Sequence, residues 1–437
     1  MSDLKKLAAL INELEDQTIV CMRCGLCQSV CPVFAETGRE SDVARGKLAL
    51  LDGLAREMLR KPAEAGLRLN KCLLCGSCAA NCPSGVNALE IFMKARAILA
   101  TYQGLPAAKR LVLEKMLAHP RAFDRILEWG ARFQNLVSRP VSETLGTSCA
   151  RIASPLIGNR HFVPLALQPF HKQIDSLDTD KGASGLKAAF FPGCLLDKFF
   201  PHVARDVIDV LTHYGVGIWM PPGQGCCGIP AVSAGDVATF EKLAIHNIDL
   251  LEEKETDYLV TACATCTTTL KEVWPVMLGN LPDDYQDRAK ALAAKTVDIH
   301  QLLVDHVGLA PHPTEVDLST TVTYHDPCHL KKSLGVHQQP RELIAASRGY
   351  QLAEMSGADK CCGMGGSFNL QYYEISCSIG TLKKESIQAT GAAVVTTGCP
   401  ACMLQISDML SQANLDVAVK HPVELYAETI KHNGRTP

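Results

Sequence analysis

The sequence predicts an α+β multidomain protein in which a helical N-terminal domain is followed by two duplicated α/β domains. Three observations support this: a length of 437 residues, two tight groups of four cysteines near the N-terminus, and a cysteine pattern that occurs twice in the second half of the chain. At about 150 residues per domain, this length suggests roughly three domains. Hydrophobic residues make up 47% and charged residues 20% of the chain, which is typical of a globular protein.

Charge and hydropathy exclude several classes of function. Lys and Arg total 43 against 46 Asp and Glu, so the net charge of -3 offers no general attraction to nucleic acid. The N-terminus lacks the apolar core of a signal peptide, and no stretch approaches the roughly 18 apolar residues of a membrane span. We therefore expect a cytoplasmic protein. Its twenty cysteines then stay reduced, and metal ligation is favoured over disulfide formation as their role.

Composition divides the chain into four regions. The N-terminal cysteine groups are followed by an amphipathic helical pattern over Lys109–Arg139. Pro, Ser and Gly then interrupt the stretch Pro140–Gly185, which is typical of a linker. The expected regions are a cysteine-rich helical domain at residues 1–105, a helical segment and linker at 106–185, and the two duplicated domains at 186–310 and 311–437.

The N-terminal cysteines form two copies of one run, C-x2-C-x2-C-x3-C-P. Such a run indicates [4Fe-4S] clusters, because two-residue gaps place three thiolates around one cubane while the fourth cysteine reaches the other cluster. Zinc is the alternative, but structural zinc sites usually pair two Cys-x-x-Cys motifs. Gly25 and Gly76 follow the second cysteine of each run and let backbone amides approach a cluster. The spacing assigns Cys21, Cys24, Cys27 and Cys82 to one cluster, and Cys72, Cys75, Cys78 and Cys31 to the other.

The second half of the chain repeats a five-cysteine pattern: one cysteine after an apolar run, an adjacent pair followed by glycine, and a Cys-x-x-Cys. Cys194 precedes its counterpart Cys328 by 134 residues, and Cys263 precedes Cys399 by 136, so the register hardly drifts. This indicates a duplicated domain. Apolar, β-branched runs stand before these cysteines and helix-like segments follow them. We therefore expect each set at the carboxyl edge of a parallel sheet.

Adjacent cysteines favour a polynuclear centre over a single tetrahedral ion, because the Cβ vectors of neighbouring residues diverge. Glycines surround both pairs, Cys226-Cys227 and Cys361-Cys362, and permit close approach of the backbone. Zinc in one or both repeats remains the alternative at this point, since one Cys-x-x-Cys per repeat is compatible with it.

These motifs resemble the twin cysteine-rich CCG domains of heterodisulfide reductase catalytic subunits and of the iron-sulfur subunits of glycolate and lactate oxidases. The family has the same order, a double-cluster ferredoxin domain followed by two CCG domains, so the resemblance covers nearly all of the chain. Gly46 within Arg45-Gly46-Lys47, the run C-P-S-G-V from Cys82, and C-C-G-M-G-G-S-F from Cys361 are most similar to the oxidase subunits.

In heterodisulfide reductases each complete five-cysteine set holds a noncubane [4Fe-4S] cluster. Carried over residue by residue, the resemblance implies one centre at Cys194, Cys226, Cys227, Cys263 and Cys266, and another at Cys328, Cys361, Cys362, Cys399 and Cys402. Oxidase-type relatives can lack one of these cysteines, whereas this chain has all ten. Complete sets favour two noncubane centres and also keep thiol-disulfide chemistry open.

The function implied by the resemblance is that of an electron-transfer subunit in a 2-hydroxy acid dehydrogenase or oxidase, with lactate or glycolate as the substrate. No dinucleotide or flavin fingerprint is visible, so we expect FAD on a partner subunit and quinone or another carrier as the acceptor. The alternative is a heterodisulfide-reductase-like subunit that reduces disulfides at noncubane clusters. A zinc-stabilised scaffold is the non-redox alternative. The chain is thus expected to be an oxidoreductase subunit, with no catalytic residue assigned.

Several residues beside the second cysteine set have two interpretations. His325 and His329 flank Cys328 and could donate hydrogen bonds to cluster sulfurs or relay protons, although a structural role for each histidine is the more common outcome. Asp326 and Lys331 are equally ambiguous.

Outside the cysteine sets the sequence offers weaker signals. Cys149 and Cys377 complete the twenty cysteines and are interpreted as buried thiols without a cluster role. Arg121, Arg125 and Arg132 lie on the amphipathic segment, where a solvated face or subunit contact is favoured over a membrane anchor. Peripheral association with the inner face of the cytoplasmic membrane stays open.

Overall fold

Helices form the N-terminal part of the chain, and mainly parallel strands with helices form the rest. The computed structural model describes residues 3–151, 158–309 and 320–433. Within these ranges, no helix is both long and apolar enough to cross a membrane.

The described residues divide into two units. The first contains the chain up to Ala118 together with two later segments, Gly228–Lys242 and Gly363–Gly380. The second contains the remaining described residues. Each later segment begins with the residue that follows an adjacent cysteine pair, so the chain passes from the second unit to the first directly after each pair in the sequence.

The first unit is built from short helices joined by the two cysteine loops. Both loops contain left-handed turns at equivalent places: φ is 57° at Arg23 and 52° at Leu74, and 90° at Gly25 and 72° at Gly76. The two runs therefore fold alike, and the glycines occupy positions that L side chains rarely adopt. The helices up to Ala118 are Asp3–Asn12, Glu15–Thr18, Leu26–Val30, Pro32–Thr37, Ala44–Ala55, Pro62–Asn70, Ser77–Ala80, Ala88–Gln103 and Ala107–Arg110, with a 3-10 turn at Glu40–Asp42 and a π-helical segment at Leu111–Leu117.

Two sheets form the frame of the second unit. The described part of the first sheet has strands in the order Leu177–Asp178, Gly217–Met220, Lys187–Phe190, Tyr258–Thr261 and Thr296–Asp298, all parallel except the first. The second has Tyr350–Leu352, Thr320–Tyr324, Val394–Thr396 and Ala418–Lys420, all parallel. The central strands are short, β-branched and buried, as in sheets covered on both faces. The predicted duplicated α/β architecture is confirmed.

Helices connect the strands of both repeats. In the first repeat they are Gly193–Lys198, Pro201–His213, Ile229–Ala234, Val237–Leu251, Ala264–Thr268, Trp274–Met277, Asp283–Lys295 and Ile299–Gln301, with π-helical segments Thr269–Val273 and Leu302–Val307. In the second they are Gln339–Ala345, Ser367–Gln371, Tyr373–Gln388, Pro400–Gln412 and Pro422–Asn433, with a π-helical segment at His329–Ser333.

One hydrophobic core joins the two repeats, although the central strands of the second sheet also have a smaller buried cluster of their own. Phe190 and Ile218 of the first repeat belong to the same buried cluster as Met403 and Tyr426 of the second. The Tyr426 hydroxyl also hydrogen-bonds to that of Tyr214. The repeats are thus joined by apolar burial, which is the main favourable contribution to folding.

The stretch Pro140–Gly185, expected to be a linker, contains regular structure. Strands Ser138–Ser142, Thr147–Ala150 and His161–Phe162 form an antiparallel sheet, followed by the helix Phe170–Gln173. His161 Nδ1 lies 2.8 Å from Ser411 Oγ, which fastens this sheet to the helix Pro400–Gln412. Short strands of this kind depend on tertiary contacts, so their pattern in the sequence is weak.

The amphipathic pattern over Lys109–Arg139 corresponds to two helical segments rather than one. The first, Leu111–Leu117, ends before His119, and the second, Pro120–Val137, begins at Pro120. Proline disfavours helical geometry at the residue before it and is well suited to the first position of a new helix.

Gly46 provides a test of the packing in the first unit. A Cβ at Gly46 would lie 1.9 Å from the Glu40 carbonyl oxygen, which is backbone and cannot move aside freely. We expect Gly46→Ala to lower the free energy of unfolding by about 1–3 kcal/mol, as overpacking commonly does. Gly66→Ala is the matched helical control, because its nearest contact would be 3.4 Å from the end of a flexible glutamine. Thermal melting followed by circular dichroism measures both; equal melting of Gly46→Ala and the wild type would contradict the packing.

Candidate metal centres

The cysteines of the two N-terminal runs line two cavities in the first unit. Cys78 borders both cavities, and their open space is about 410 and 440 Å³, mouths included. The structure thus brings the fourth cysteine of each run beside the first three of the other. One cavity is lined by Cys21, Cys24, Cys27 and Cys82, and the other by Cys31, Cys72, Cys75 and Cys78.

Basic groups and one buried carboxylate, that of Asp42, border these cavities. Ala44, the first residue of the helix Ala44–Ala55, borders both of them, so the positive end of the helix dipole lies there. Arg45 lines the cavity of Cys21, and Lys47 lines that of Cys31. The Lys47 side chain is buried and its ammonium donates to the carbonyl oxygen of Asp42. These cations suit a group that carries the negative charge of several thiolates.

The thiols themselves indicate that a cation belongs between them. Burial, together with the nearby sulfur atoms of Cys72 and Cys75, raises the pKa of Cys31 to about 11. Burial and the same two neighbours also raise the pKa of Cys78 well above its ordinary value. Grouped thiols lose their protons together only where a metal compensates the charge, so this donor set fits metal ions better than free thiols.

Arg96 supports the second cavity from behind, and the sequence contained no signal for it. The guanidinium is buried and donates to the carbonyl oxygens of Leu69 at 2.7 Å, Cys72 at 2.9 Å and Ser233 at 2.8 Å. It therefore ties the first cysteine of the second run to the segment Gly228–Lys242. An arginine within a helical pattern usually extends into solvent, which is why sequence reasoning missed this one.

The five cysteines of the first repeat gather where its strands end. The sulfur atoms of Cys194 and Cys226 are 3.8 Å apart. The thiol of Cys266 is in hydrogen-bonding contact with those of Cys227 and Cys263. All except Cys194, which is half-buried, are inaccessible to solvent. The expectation that the set lies at the carboxyl edge of a parallel sheet is confirmed.

Polar side chains hold the adjacent pair in place. Asn247 donates to the carbonyl oxygen of Cys226 at 2.9 Å, and the Trp274 indole donates to that of Cys227 at 3.0 Å. Gly193 has a φ of 69°, and a Cβ there would lie 2.9 Å from the sulfur of Cys266. Glycine is therefore required at this position by both conformation and space.

The second repeat assembles its cysteines in the same way. The thiol of Cys402 is in hydrogen-bonding contact with those of Cys362 and Cys399. Cys361 is buried beside Cys362, whereas Cys328 follows the strand Thr320–Tyr324 and is half-buried, as its counterpart Cys194 is.

The two sets lie side by side. The thiols of Cys263 and Cys399 are in contact, and the amide of Ala264 donates to the Gly398 carbonyl oxygen at 3.0 Å. Behind them the rings of His300 and His421 stack, with centroids 5.0 Å apart. The sequence shows the duplication, but this pairing of the two Cys-x-x-Cys motifs is a tertiary contact.

Neighbouring sulfur atoms also change the pKa values of these thiols. The thiol of Cys194 raises the pKa of Cys226, that of Cys227 raises the pKa of Cys266, and that of Cys362 raises the pKa of Cys402, all well above the ordinary value. Cys399 differs because Cys263 and Cys402 donate to it, which lowers its pKa. As in the first unit, such a cluster of buried donors fits a metal centre.

The two sets have different surroundings. His325 of the second repeat occupies the place of Phe191 in the first, counted from the first cysteine of each set. A ring nitrogen of His325 and the sulfurs of Cys362 and Cys402 lie within 4.8 Å of one another, so these three could hold a metal ion. Burial, followed by the charge of Lys383, lowers the pKa of His325 to about 3.

The tautomer of His325 follows from its hydrogen bond. Nδ1 lies 3.0 Å from the carbonyl oxygen of Ala358, so in the neutral ring it carries the proton and donates. Nε2 then has a lone pair and no hydrogen-bond partner in the described structure. In this state His325 offers a ligand atom rather than the donor to sulfur that the sequence suggested.

Lys383 is the second difference between the sets. Its buried ammonium donates to the carbonyl oxygens of Gly357 at 2.7 Å and Ala358 at 3.1 Å. Burial lowers its pKa to about 8, against the opposing charge of Cys362 and Cys361. The matching helix of the first repeat has the uncharged Asn247 and Ile248 at this point. The second set thus lies beside a buried positive charge, whereas the matching helix of the first repeat carries no charged residue at this point.

The other polar residues near Cys328 have structural partners. Asp326 is buried and receives two hydrogen bonds from Arg341, at 2.8 and 3.0 Å, while Lys331 lies 3.4 Å from it. His329 Nδ1 lies 3.3 Å from the Thr265 hydroxyl of the other repeat.

Cys149 and Cys377, which the sequence analysis interpreted as buried thiols, are half-buried. Cys149 lies in the strand Thr147–Ala150, where Arg139 Nε donates to its sulfur at 3.4 Å. Cys377 lies on the helix Tyr373–Gln388. All twenty cysteines are among the described residues, and none forms a disulfide there.

Comparisons with known proteins match both parts of this arrangement. The family model described as a 4Fe-4S dicluster domain matches residues 17–86, and the model described as a cysteine-rich domain matches residues 188–271 and 322–407. The probable glycolate oxidase iron-sulfur subunit of Bacillus subtilis is 29% identical over 454 residues, covering 99% of this chain and 99% of that protein.

Two further relatives represent related branches. Lactate utilization protein A of Bacillus subtilis is 31% identical over 240 residues, which are 55% of this chain and 98% of the relative. One subunit of the dihydromethanophenazine:CoB–CoM heterodisulfide reductase of Methanosarcina barkeri is 26% identical over 451 residues, covering 98% of this chain and 97% of the relative.

Two doubled cysteine runs that line two cavities, followed along the chain by two cysteine-rich domains, define an iron-sulfur protein. Its cofactors include iron-sulfur clusters. The chain belongs to the family of iron-sulfur subunits that combine a double [4Fe-4S] ferredoxin domain with two cysteine-rich CCG domains, and it shares part of that arrangement with lactate utilization protein A.

Lys383 provides a test of the asymmetry between the two sets. A reduced centre carries one more negative charge than an oxidised one, so a buried ammonium favours reduction. We expect Lys383→Met to lower one reduction potential by on the order of 60 mV, about tenfold in a one-electron equilibrium. Lys384→Met, the next residue on the same helix and half-buried, is the matched control. Redox titration followed by electron paramagnetic resonance measures this; equal shifts in both variants would contradict a specific role for Lys383.

Proposed function

We propose that this chain is the electron-transfer subunit of a 2-hydroxy acid dehydrogenase or oxidase complex that acts on lactate or glycolate. The carrying observation is that two cysteine-lined cavities and two complete five-cysteine sets occur in one chain whose relatives include a probable glycolate oxidase iron-sulfur subunit. Clusters held at such sites accept and release single electrons. No residue of this chain is assigned a catalytic role towards the 2-hydroxy acid.

The ligands that we propose for the first unit are those that line each cavity. Cys21, Cys24, Cys27 and Cys82 would hold one cubane cluster, and Cys72, Cys75, Cys78 and Cys31 the other. Arg45, Lys47 and the start of the helix Ala44–Ala55 would stabilise the negative charge of the bound groups, which raises their reduction potentials relative to an uncharged surrounding.

In the second unit the proposed ligands are the two five-cysteine sets, each holding a noncubane [4Fe-4S] centre. They are Cys194, Cys226, Cys227, Cys263 and Cys266 in the first repeat, and Cys328, Cys361, Cys362, Cys399 and Cys402 in the second. Burial of most of these thiols keeps water away from the iron, and the contact between Cys263 and Cys399 favours electron exchange between the repeats.

The remaining parts of the complex lie outside this chain. FAD is expected on a partner subunit that oxidises the 2-hydroxy acid, and quinone or another carrier is expected to take up the electrons. The reduced thiols that cluster assembly needs support a cytoplasmic location. A quinone acceptor would place the complex at the inner face of the cytoplasmic membrane.

A second candidate is reduction of a disulfide, as in the heterodisulfide reductases. Two observations favour it: both five-cysteine sets are complete, and they lie side by side with Cys194 and Cys328 half-exposed. Cleavage of one disulfide to two thiols needs two electrons and two protons, and two one-electron centres could deliver the electrons.

Substrate coupling separates the two candidates. An electron-transfer subunit should be reduced by dithionite but should show no lactate- or glycolate-dependent bleaching until the flavin subunit is added, because the flavin that takes up the hydride is expected on that partner. Absorbance near the iron-sulfur bands under anaerobic conditions measures this. Bleaching by lactate or glycolate in the isolated chain would contradict the assignment. Dithionite-driven cleavage of an added disulfide, with release of two thiols, would support the reductase instead.

The adjacent pairs provide a matched test of the ligand sets. We expect Cys227→Ser and Cys362→Ser each to remove one centre, about four irons per chain, because a hydroxyl holds iron poorly in place of a thiolate. The clusters of the first unit and the centre of the other repeat should remain. Cys149→Ser, which alters a cysteine outside the sets, is the control. Iron and sulfide analysis with electron paramagnetic resonance measures all three; an unchanged iron content in either pair variant would show that its repeat holds no such centre.

A further inference from the structure

The helix Pro120–Val137, here called the amphipathic helix, turns its polar side towards the protein. Asp124 lies 2.7 Å from the buried ammonium of Lys198, and Glu128 lies 3.1 Å from Nε2 of His171. Gln134 donates to the carbonyl oxygen of Leu165 and accepts from its amide, each at 2.9 Å. The carboxylates of this helix are therefore used internally, opposite to the usual pattern in which the apolar side packs inward.

The opposite side of the helix is apolar and exposed. At about 100° per residue, its large apolar side chains occupy an arc of about 100°. Their exposed fractions range from 44% to 74%, and Trp129 and Phe133 also contact each other, with ring centroids 4.6 Å apart. Soluble surfaces usually carry such residues singly, so a continuous stripe marks an interaction site. The stripe consists of Ile126, Trp129, Phe133, Leu136 and Val137.

Arginines follow one edge of this stripe. Arg121, Arg125 and Arg132 fall within a narrow arc of about 40° beside it at helical spacing. All three are exposed, and within the described residues none of them pairs with a carboxylate. The exposed side of the helix thus combines apolar side chains with charge of a single sign.

We infer that the amphipathic helix lies in the surface of an anionic lipid bilayer, with the stripe buried among the acyl chains and the arginines at the headgroups. Aromatic and aliphatic side chains flanked by arginine are typical of helices that bind in the plane of a membrane. Long arginine side chains reach the headgroups while their methylenes stay in apolar surroundings. The inference rests on the proposed function only in that a quinone acceptor is itself dissolved in a membrane.

A lipid surface fits these observations better than a protein partner. Protein interfaces combine an apolar centre with a rim in which both charge signs are complemented residue by residue. Here the exposed charges that the helix itself places beside the stripe are all arginine, and its acidic residues are already paired with Lys198 and His171. A surface of uniform negative charge complements this pattern without specific partners.

Flotation of the intact, cluster-loaded chain with lipid vesicles tests the inference. The wild type should float with vesicles that contain phosphatidylglycerol and much less with pure phosphatidylcholine. Trp129→Ser combined with Phe133→Ser should weaken partition at least about tenfold, since two large side chains lose their burial. Replacing the three arginines by Gln should weaken binding about fivefold per arginine, and only on the anionic vesicles. Leu67→Ser, also a highly exposed leucine on a helix, is the matched control and should float like the wild type.

Tryptophan fluorescence gives an independent readout. Trp129 is exposed, whereas Trp219 and Trp274, which complete the three tryptophans of the chain, are buried. A blue shift of emission on adding anionic vesicles should therefore be absent in Trp129→Phe, while Trp129→Phe still floats within about twofold of the wild type because its stripe stays apolar.

Three outcomes would overturn the inference. The first is a wild-type chain that does not float with anionic vesicles, and the second is a set of stripe variants that float as well as the wild type. The third is a set of stripe variants that no longer bind the flavin subunit, while neither they nor the wild type bind vesicles. The last result would assign this face to a protein partner. Dithionite reduction and flavin-dependent reduction, measured without vesicles, report on the proposed function separately, and the stripe variants should retain both.

Discussion

Crowded thiols are the constraint on which the rest of this structure depends. Eighteen of the twenty cysteines lie in four groups, and in each group several sulfur atoms contact one another or line a common cavity. Thiolates at such distances repel each other, so each group is compatible with ionised sulfur only when a bound metal compensates the charge. Much of the surrounding architecture follows from this requirement: left-handed turns at Gly25 and Gly76, and Gly193 against the sulfur of Cys266.

The protein surrounds these groups with polar contacts to the backbone as well as charge. Arg96, Asn247, Trp274 and Lys383 all donate to carbonyl oxygens near the cysteines. Such contacts orient the peptide units that carry the proposed ligands, and the buried cations would favour the reduced state of a bound cluster. The two repeats use different means, because the second places a buried lysine and a neutral histidine beside its cysteines where the first has Ile248 and Phe191. Duplication has therefore produced two sites with one ligand pattern and unequal electrostatics.

The shared core of the repeats also bears on electron transfer. Phe190 and Met403 belong to the same apolar cluster, and the contact between Cys263 and Cys399 is held within a unit that cannot separate without exposing that core. The amphipathic helix is attached to the same unit by Asp124 and Glu128, so its membrane-binding face would be fixed relative to the five-cysteine sets. A membrane-bound acceptor would then receive electrons from centres that are held at a fixed position relative to the bilayer.

The amino-acid sequence alone was sufficient to predict the four cysteine groups, the duplication and the parallel strands, because cysteine spacing and β-branched runs are local patterns along the chain. It also indicated Gly25, Gly76 and the Arg45-Gly46-Lys47 segment. Features that depend on contacts between distant segments were decided only by the tertiary structure. They are the contact of Cys263 with Cys399, the carbonyl contacts of Arg96, and the burial of Lys383. The orientation of the helix Pro120–Val137 belongs to the same class. Its periodicity shows two faces, but which face is buried depends on Lys198 and His171, residues far along the chain whose charges attract its carboxylates.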